Sequence, residues 1–190
     1  MKIRSFLAFD IPKDVQQKLG RLISDFSKRE KDVRWLQPEN LHVTMKFFGD
    51  VEEELLLGDI SKEIEKVTAA ARSTTLECQG LGVFPNWKYP RIIWAGFIGD
   101  TEPVLELKSK IDSALAGFPL KPDQRQFRLH LTIGRAKEIK GTSQLVQLIN
   151  GLGPISFGKV KIDHLTIYKS VLTREGSIYT ALRRFEIGNL

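Results

Sequence analysis

The chain has a single cysteine, Cys78, and no long apolar segment. One cysteine cannot form an internal disulfide and excludes a zinc site built on several cysteines. The apolar run at residues 6–9 is far too short for a signal peptide, and no stretch approaches the roughly 18 residues that a membrane span needs. We therefore expect a cytoplasmic, globular protein without membrane association, in which Cys78 is a small apolar residue in a strand.

The composition of the 190 residues is ordinary for a globular protein, with 42% hydrophobic and 27% charged residues. This length suits one large domain or two small lobes. The net charge of +6 favours a polyanionic partner such as nucleic acid. Acidic residues are mixed with the basic ones, as in KEIEK at 62–66, which is typical of a solvated surface with ion pairs.

Strand-like and helix-like patterns alternate along the chain and recur in its second half. Strands are predicted at 2–9, 33–36, 41–48, 74–84, 91–98, 127–134, 156–169 and 178–187, and helices at 13–30, around 55–67, at 102–116 and at 142–150. An offset of 88 residues relates SFLAF (5–9) to IWAGF (93–97) and also relates the two strands 41–48 and 127–134. We infer two similar halves and, from consecutive apolar strands around turns, antiparallel pairing in an α+β fold.

Two H-x-T units, His42/Thr44 and His130/Thr132, lie 88 residues apart. Residues i and i+2 of a strand point to the same face, so each unit offers an imidazole beside a hydroxyl. Two such units facing one another across a cleft would supply an acid, a base and two neutral donors. That set suits phosphodiester chemistry without a metal.

A third H-x-T unit is formed by His164 and Thr166, and HLTI occurs both at 130–133 and at 164–167. It has no partner under the 88-residue offset. It also follows the last short helix, whereas the other two units precede theirs. We therefore expect His164 to have a structural or peripheral role rather than a catalytic one.

Segments spread over nearly the whole chain resemble one family, the 2H phosphoesterases, and within it the RNA 2′,3′-cyclic phosphodiesterases, also called RNA 2′,5′-ligases. The segments are RSFLAFDIP (4–12), ENLHVTMKFFGD (39–50), GLGVFP (80–85), RIIWAG (91–96), HLTIGR (130–135) and LTIYKSVLTREGSIY (165–179). The tetrads HVTM and HLTI define the family. The resemblance implies one α+β domain over 1–190 with two pseudo-symmetric lobes, in which two antiparallel sheets line a central cleft and helices lie outside.

The resemblance also implies roles for the two paired units. His42 would be the proton donor to the leaving 3′-oxygen, and His130 would be the proton acceptor that activates water, leaving a 2′-phosphate. Thr44 and Thr132 would bind the phosphate oxygens, with no cofactor and no metal. The substrate would be RNA with a 2′,3′-cyclic phosphate end, tRNA-like or otherwise cleaved, and the same groups run in reverse would ligate RNA 2′,5′. We expect a monomer.

Two cations near the paired units are further candidates. Arg135 could supply permanent positive charge to the phosphate. It is five residues from His130, so a straight strand would turn it away, and a bend near Gly134 is required. Lys46 is expected on the face of His42 and could contact the RNA backbone or simply lie at the surface. Aromatic residues in turns could stack on bases, namely Phe84, Trp87 and Tyr89.

Three rival interpretations remain open on the residues alone. A zinc ion between the histidines would need a third ligand, such as His164 or a carboxylate, although neither H-x-T unit has a carboxylate within it. A non-catalytic RNA-binding module would use the basic cleft without needing both imidazoles. Another 2H enzyme, acting on a different cyclic phosphate or trimming RNA ends, would share the site and differ in its cleft walls.

Overall fold

The structure is a computed structural model, and it describes residues 1–121, 126–137, 143–173 and 176–188. Its strands are β1 (Lys2–Asp10), β2 (Val33–Trp35), β3 (His42–Glu52), β4 (Thr74–Phe84), β5 (Ile92–Ile98), β6 (Leu131–Ala136), β7 (Ser156–Ile162), β8 (His164–Leu172) and β9 (Ser177–Glu186). Its helices are α1 (Lys13–Arg29), α2 (Glu53–Leu55), α3 (Ser61–Ala69), α4 (Glu102–Ala114) and α5 (Ser143–Leu152), with a π-helical turn (Leu56–Ile60) joining α2 to α3 and a 3-10 turn at Pro38–Asn40.

Two antiparallel sheets form the body of the protein. The first sheet has the order β3-β1-β8-β9, and the second has the order β2-β6-β5-β4-β7. Apart from the additional β2, the two orders correspond strand for strand, because β3 flanks β1 as β6 flanks β5, and β8 flanks β1 as β4 flanks β5. The predicted α+β fold with two related antiparallel sheets is confirmed.

The helices cover the outer faces of the sheets. In α1 the buried residues Val15, Leu19, Ile23 and Phe26 recur at helical spacing, so one stripe of the helix faces the core. This helix contacts β7 and β2 of the second sheet, whereas α3 contacts α4 and β9 on the side of the first sheet. Within the described ranges, none of the helices combines the length and the apolar character required for crossing a bilayer.

Two predicted strand boundaries are wrong. The strand predicted at 127–134 begins only at Leu131, so His130 immediately precedes it. The strand predicted as continuous over 156–169 is divided at Asp163 into β7, which pairs with β4 in the second sheet, and β8, which pairs with β1 in the first. Apolar residues are buried two positions apart on both sides of Asp163, at Val160 and Ile162 in β7 and at Leu165 and Ile167 in β8, so the sequence pattern does not reveal that the chain changes sheets.

Candidate active site

The first H-x-T unit lies at the start of β3. The Nδ1 atom of His42 is 2.8 Å from the carbonyl oxygen of Asn40, and a carbonyl only accepts, so Nδ1–H is the donor. That bond leaves the Nε2 atom without a hydrogen-bond partner among the described residues. Thr44, two residues further along the strand, lies on the same face, and both side chains are half-buried.

The second unit repeats this arrangement at the start of β6. The Nδ1–H group of His130 donates to the carbonyl oxygen of Arg128 at 2.6 Å, which is again the residue two positions earlier. Thr132 follows on the same face and is half-buried like Thr44. The two imidazoles are therefore held in the same tautomer by the same hydrogen bond, from Nδ1–H to the carbonyl oxygen two residues earlier.

The paired units are brought together where the two sheets meet. Strands β3 and β6 contact one another although they belong to different sheets. The positive charge of Arg135 lowers the pKa of both His42 and His130. A single guanidinium thus faces both imidazoles, as expected for two units on opposite walls of one cleft.

A β-bulge turns Arg135 toward this cleft. Gly134 pairs with Ile93 and Thr132 pairs with Trp94, so Ile133 is an extra residue in β6. One inserted residue reverses the alternation of side chains, which places Arg135 on the face of Thr132. The bend predicted near Gly134 is therefore present, and a side chain at Gly134 would meet the Trp35 ring at 2.8 Å.

Aromatic rings enclose the imidazole of His42. Phe6 stacks on it with ring centroids 4.6 Å apart, and Tyr179 meets it edge-on at 5.1 Å. Tyr168 extends the stack on the other side of Phe6, at 5.5 Å. These three aromatic residues come from three different strands of the first sheet, so the sequence gives no sign that they meet.

The imidazole of His130 has a different environment. Phe84 lies edge-on to it at 5.0 Å, and the guanidinium of Arg128 lies 5.5 Å from the centre of the same Phe84 ring. The predicted aromatic candidates Trp87 and Tyr89 are exposed in the turn after β4. Of the three aromatic candidates, only Phe84 touches a site histidine.

The pKa values of both site histidines lie below the ordinary value of 6.5. For His42 the main cause is burial, assisted by Arg135, while the hydrogen bond to Asn40 and the negative charge of Asp10 act in the opposite direction. For His130 the causes are again burial and then Arg135, opposed by the hydrogen bond to Arg128. Burial therefore shifts both imidazoles toward the neutral form relative to a free histidine.

Lys46 does not share a face with His42 and Thr44, so that expectation is wrong. Ala8 pairs with Thr44 and Leu7 pairs with Lys46, which leaves Met45 as a bulged residue. The bulge turns Lys46 to the outer face, where its side chain is 8% exposed and its Nζ atom lies 2.8 Å from Asp112 of α4. The same inserted residue that misplaces Lys46 brings Phe47 to the inner face beside Phe6.

In the third H-x-T unit, both ring nitrogens of His164 lie beside carboxylates, whereas His42 and His130 each bond to a backbone carbonyl. The Nε2 atom of His164 lies 2.8 Å from Asp10 and its Nδ1 atom lies 2.7 Å from Asp163. Unlike His42 and His130, it has a pKa above the ordinary 6.5, because the hydrogen bond to Asp10 outweighs its burial. The sequence predicted a role apart from the two paired units but offered no partner for it.

Among the residues that the structure describes, the remaining potential ligands do not form a metal-binding cluster. In the described part of the chain, no group of three or more His, Cys, Asp and Glu side chains is arranged to hold an ion. Cys78 is buried in β4, and burial raises the pKa of its thiol to about 12. This cysteine is therefore a buried core residue in a strand, as predicted.

The chain is similar to known proteins along nearly its whole length. The profile of the "LigT like Phosphoesterase" family matches residues 9–94 and 98–179. A protein of Methanocaldococcus jannaschii named RNA 2',3'-cyclic phosphodiesterase is 33% identical over 96% of this chain and 100% of its own length. A protein of the same name from Methanothermobacter thermautotrophicus is 31% identical over 98% of this chain and 100% of its own length.

A solved structure shows the same fold. The crystal structure of TT0787 of Thermus thermophilus superposes with a TM-score of 0.81, at 23% identity, over 99% of this chain and 100% of that one. The chain belongs to the LigT-like family of 2H phosphoesterases.

Proposed function

We propose that the protein is an RNA 2′,3′-cyclic phosphodiesterase that converts a terminal 2′,3′-cyclic phosphate to a 2′-phosphate by acid–base catalysis. The observation that carries the proposal is the matched pair of imidazoles, each fixed through Nδ1 to the carbonyl two residues earlier. The names of its full-length relatives support the substrate. The net charge of +6 favours attraction of RNA.

In the proposed reaction, His130 is the general base. Its Nε2 atom takes a proton from a water molecule as the water oxygen bonds to phosphorus. The bond between phosphorus and the 3′-oxygen breaks, and His42 gives a proton from Nε2 to that oxygen. The products are a 3′-hydroxyl and a 2′-phosphate, and the two histidines have exchanged protonation states. A solvent proton exchange restores them.

The groups around the histidines would stabilise the phosphate during this step. Thr44 and Thr132 offer hydroxyl donors on the faces of their respective histidines. Arg135 adds a permanent positive charge, which is worth more when aimed at developing negative charge in a partly buried site. A 5′-hydroxyl attacking phosphorus in place of water, with the same 3′-oxygen leaving, would give 2′,5′ ligation.

The lowered pKa of His130 supports its assignment as the general base. A general base must be neutral, and burial favours neutral His130. A general acid must be protonated, and His42 is less easily protonated than a free imidazole. The bound phosphate, an anion, would favour the imidazolium form of His42 once substrate is present.

The test is an assay on an oligoribonucleotide ending in a 2′,3′-cyclic phosphate, with EDTA present and the product isomer identified. We expect a 2′-phosphate product, activity that survives chelation, and its loss in both His42→Ala and His130→Ala. His164→Ala is the matched control and should keep most of the activity near the optimal pH.

Each rival interpretation gives a different outcome in that assay. Loss of activity with EDTA and its return with zinc would favour a metal between the histidines. A 3′-phosphate product would refute the leaving group assigned here. RNA binding that is unchanged in both histidine variants, without turnover in the wild type, would favour a binding module.

A further inference from the structure

The third H-x-T unit, His164 and Thr166, holds an anion that belongs to the protein itself. The Nε2 atom of His164 lies 2.8 Å from Oδ2 of Asp10, and the Thr166 hydroxyl donates to the same oxygen at 3.4 Å. Tyr168 donates its hydroxyl to the other oxygen at 2.5 Å. This unit therefore presents to a carboxylate the same pair of groups that the catalytic units would present to a phosphate.

The geometry fixes the charge of this cluster. Both ring nitrogens of His164 face carboxylates, Asp10 on one side and Asp163 on the other. Carboxylates only accept hydrogen bonds, so both nitrogens donate and the ring is an imidazolium. Burial alone would raise the pKa of Asp10, but its three hydrogen bonds outweigh that effect and the pKa lies below the ordinary 3.8. Asp10 is therefore a fixed negative charge.

Asp10 lies directly opposite His42 in the ladder between β1 and β3. The side chains of directly opposite residues in antiparallel strands share a face, with Cβ atoms about 4.5–5.5 Å apart. The carboxylate is not a hydrogen-bond partner of His42, whose Nδ1 is occupied by Asn40. It can act on the imidazole only through its charge.

We propose that Asp10, clamped by the third H-x-T unit, is a positioning residue whose negative charge stabilises the imidazolium form of His42 and so keeps a proton available for transfer. The catalytic consequence rests on the proposed function, in which His42 is the proton donor. The effect on the protonation of His42 does not depend on that function.

The other charged and titratable groups around His42 and Asp10 oppose or balance the negative charge of Asp10. Arg135 from β6 disfavours the imidazolium of His42, and so does burial among aromatic rings that include Tyr179 of β9. Around Asp10 itself the facing groups are His164 and Tyr168 of β8 and Arg184 of β9. Without Asp10, the Asn40 carbonyl would be the one group in the described residues that still favours protonation of His42.

The experiment is a titration of the three histidines by NMR, using ¹³C-labelled histidine and assignment by single His→Gln variants. The chain has three histidines, so each can be followed separately. In Asp10→Asn, which keeps the shape and removes the charge, we expect the titration midpoint of His42 to fall while that of His130 stays in place. An unchanged His42 midpoint in a folded Asp10→Asn variant overturns the proposal.

Two further variants separate charge from structure. His164→Gln keeps a donor to Asp10 but removes a positive charge, so the His42 midpoint should rise, opposite to its shift in Asp10→Asn. A fall in His164→Gln overturns the proposal, and this test stands even if Asp10→Asn does not fold. Tyr168→Phe keeps both the charge of Asp10 and the ring that stacks on Phe6, so the His42 midpoint should stay as in the wild type. A marked fall in Tyr168→Phe, which keeps both the packing and the charge, would assign the effect to the hydrogen bond between Tyr168 and Asp10 and overturn the role of charge.

Kinetics connect the titration to the reaction. In Asp10→Asn the alkaline limb of the kcat/KM profile should move to lower pH with the His42 midpoint, giving roughly a tenfold loss on that limb. If the titration midpoint of His42 shifts but the alkaline limb of the kcat/KM profile does not, Asp10 still stabilises the His42 imidazolium. That result would overturn the assignment of His42 as the proton donor. A merely structural role would lower activity equally at all pH values.

Discussion

Arg135 lies on the same face of β6 as Thr132, although it is three positions further along the strand, because the bulge at Ile133 inserts one residue between the two. The guanidinium therefore joins the hydroxyl at the cleft instead of turning away from it. Its charge lowers the pKa of both His42 and His130. We therefore expect two effects of Arg135 that can be measured separately, one on a bound phosphate and one on the imidazoles.

Replacement of Arg135 by glutamine should lower kcat by about 10²–10³-fold, the cost of removing one preorganised charged donor from a site of developing negative charge. The pKa values of His42 and His130 should both rise, because a positive neighbour is lost. The measurement is the pH dependence of turnover of a 2′,3′-cyclic nucleotide. Arg91→Gln is the matched control, since Arg91 is an exposed arginine that immediately precedes β5, the strand paired with β6. Comparable losses in both variants would contradict the role of Arg135.

A second bulge, at Met45, shows why the face of Lys46 was predicted wrongly, whereas the bend expected near Gly134 gives the face of Arg135. In both β3 and β6 the chain continues in a strand past the H-x-T unit, and one extra residue reverses the face of the residues that directly follow it. The rule that alternate residues share a face therefore places Lys46 on the wrong face. The same rule would also have placed Arg135 on the wrong face if Gly134 had not indicated a bend. Bulges depend on the partner strand, and a single sequence does not contain that register.

Lys46→Gln should therefore affect stability rather than substrate affinity. The side chain is 8% exposed and is paired with Asp112, which also accepts a hydrogen bond from Lys108. Loss of one charged donor to a partly exposed carboxylate should cost about 1–2 kcal/mol of unfolding free energy, with KM for a cyclic nucleotide unchanged. Urea denaturation and initial rates check the two parts. The control Lys62→Gln, in an exposed pair with Asp59, should cost about 0.5 kcal/mol or less.

The local elements and the pair His42/His130 could be predicted, whereas the network around them could not. Each H-x-T unit is a local pattern, and a spacing of two residues fixes its geometry within one strand. The aromatic residues Phe6 and Tyr179 and the partner of His164 come from strands far apart in the chain. Their contacts arise from pairing across β1, β8 and β9, which depends on long-range packing.

The pH profile of kcat/KM should have its maximum below pH 6.5. In a bell-shaped profile the maximum lies midway between the pKa values of the essential acid and base in the free enzyme. Those of His42 and His130 are both lowered from 6.5, chiefly by burial. The kcat profile should lie at higher pH, since bound phosphate favours imidazolium. Steady-state rates on a 2′,3′-cyclic nucleotide across the acid and neutral range check this, and a kcat/KM maximum above pH 7 would contradict it.

The cluster of Asp10, His164 and Asp163 should make folding stability depend on pH in a defined window. The folded pKa of His164 is raised from 6.5 by its bond to Asp10, so its contribution is complete below pH 6.5 and is lost as pH rises through the folded value. The folded pKa of Asp10 lies below 3.8, despite its burial, because of its hydrogen bonds. Its contribution is complete above pH 3.8 and is lost as pH falls through the folded value.

The difference in unfolding free energy between the wild type and His164→Gln should therefore be largest between pH 3.8 and 6.5. We expect about 1–3 kcal/mol in that window, the cost of losing hydrogen bonds to charged groups, and a smaller difference at higher pH as His164 loses its proton. His42 and His130 are present in both proteins, so their own titrations largely cancel in the difference. Urea denaturation at several pH values measures it. A difference that grows as pH rises above 6.5 would mean that His164 is neutral in the folded protein.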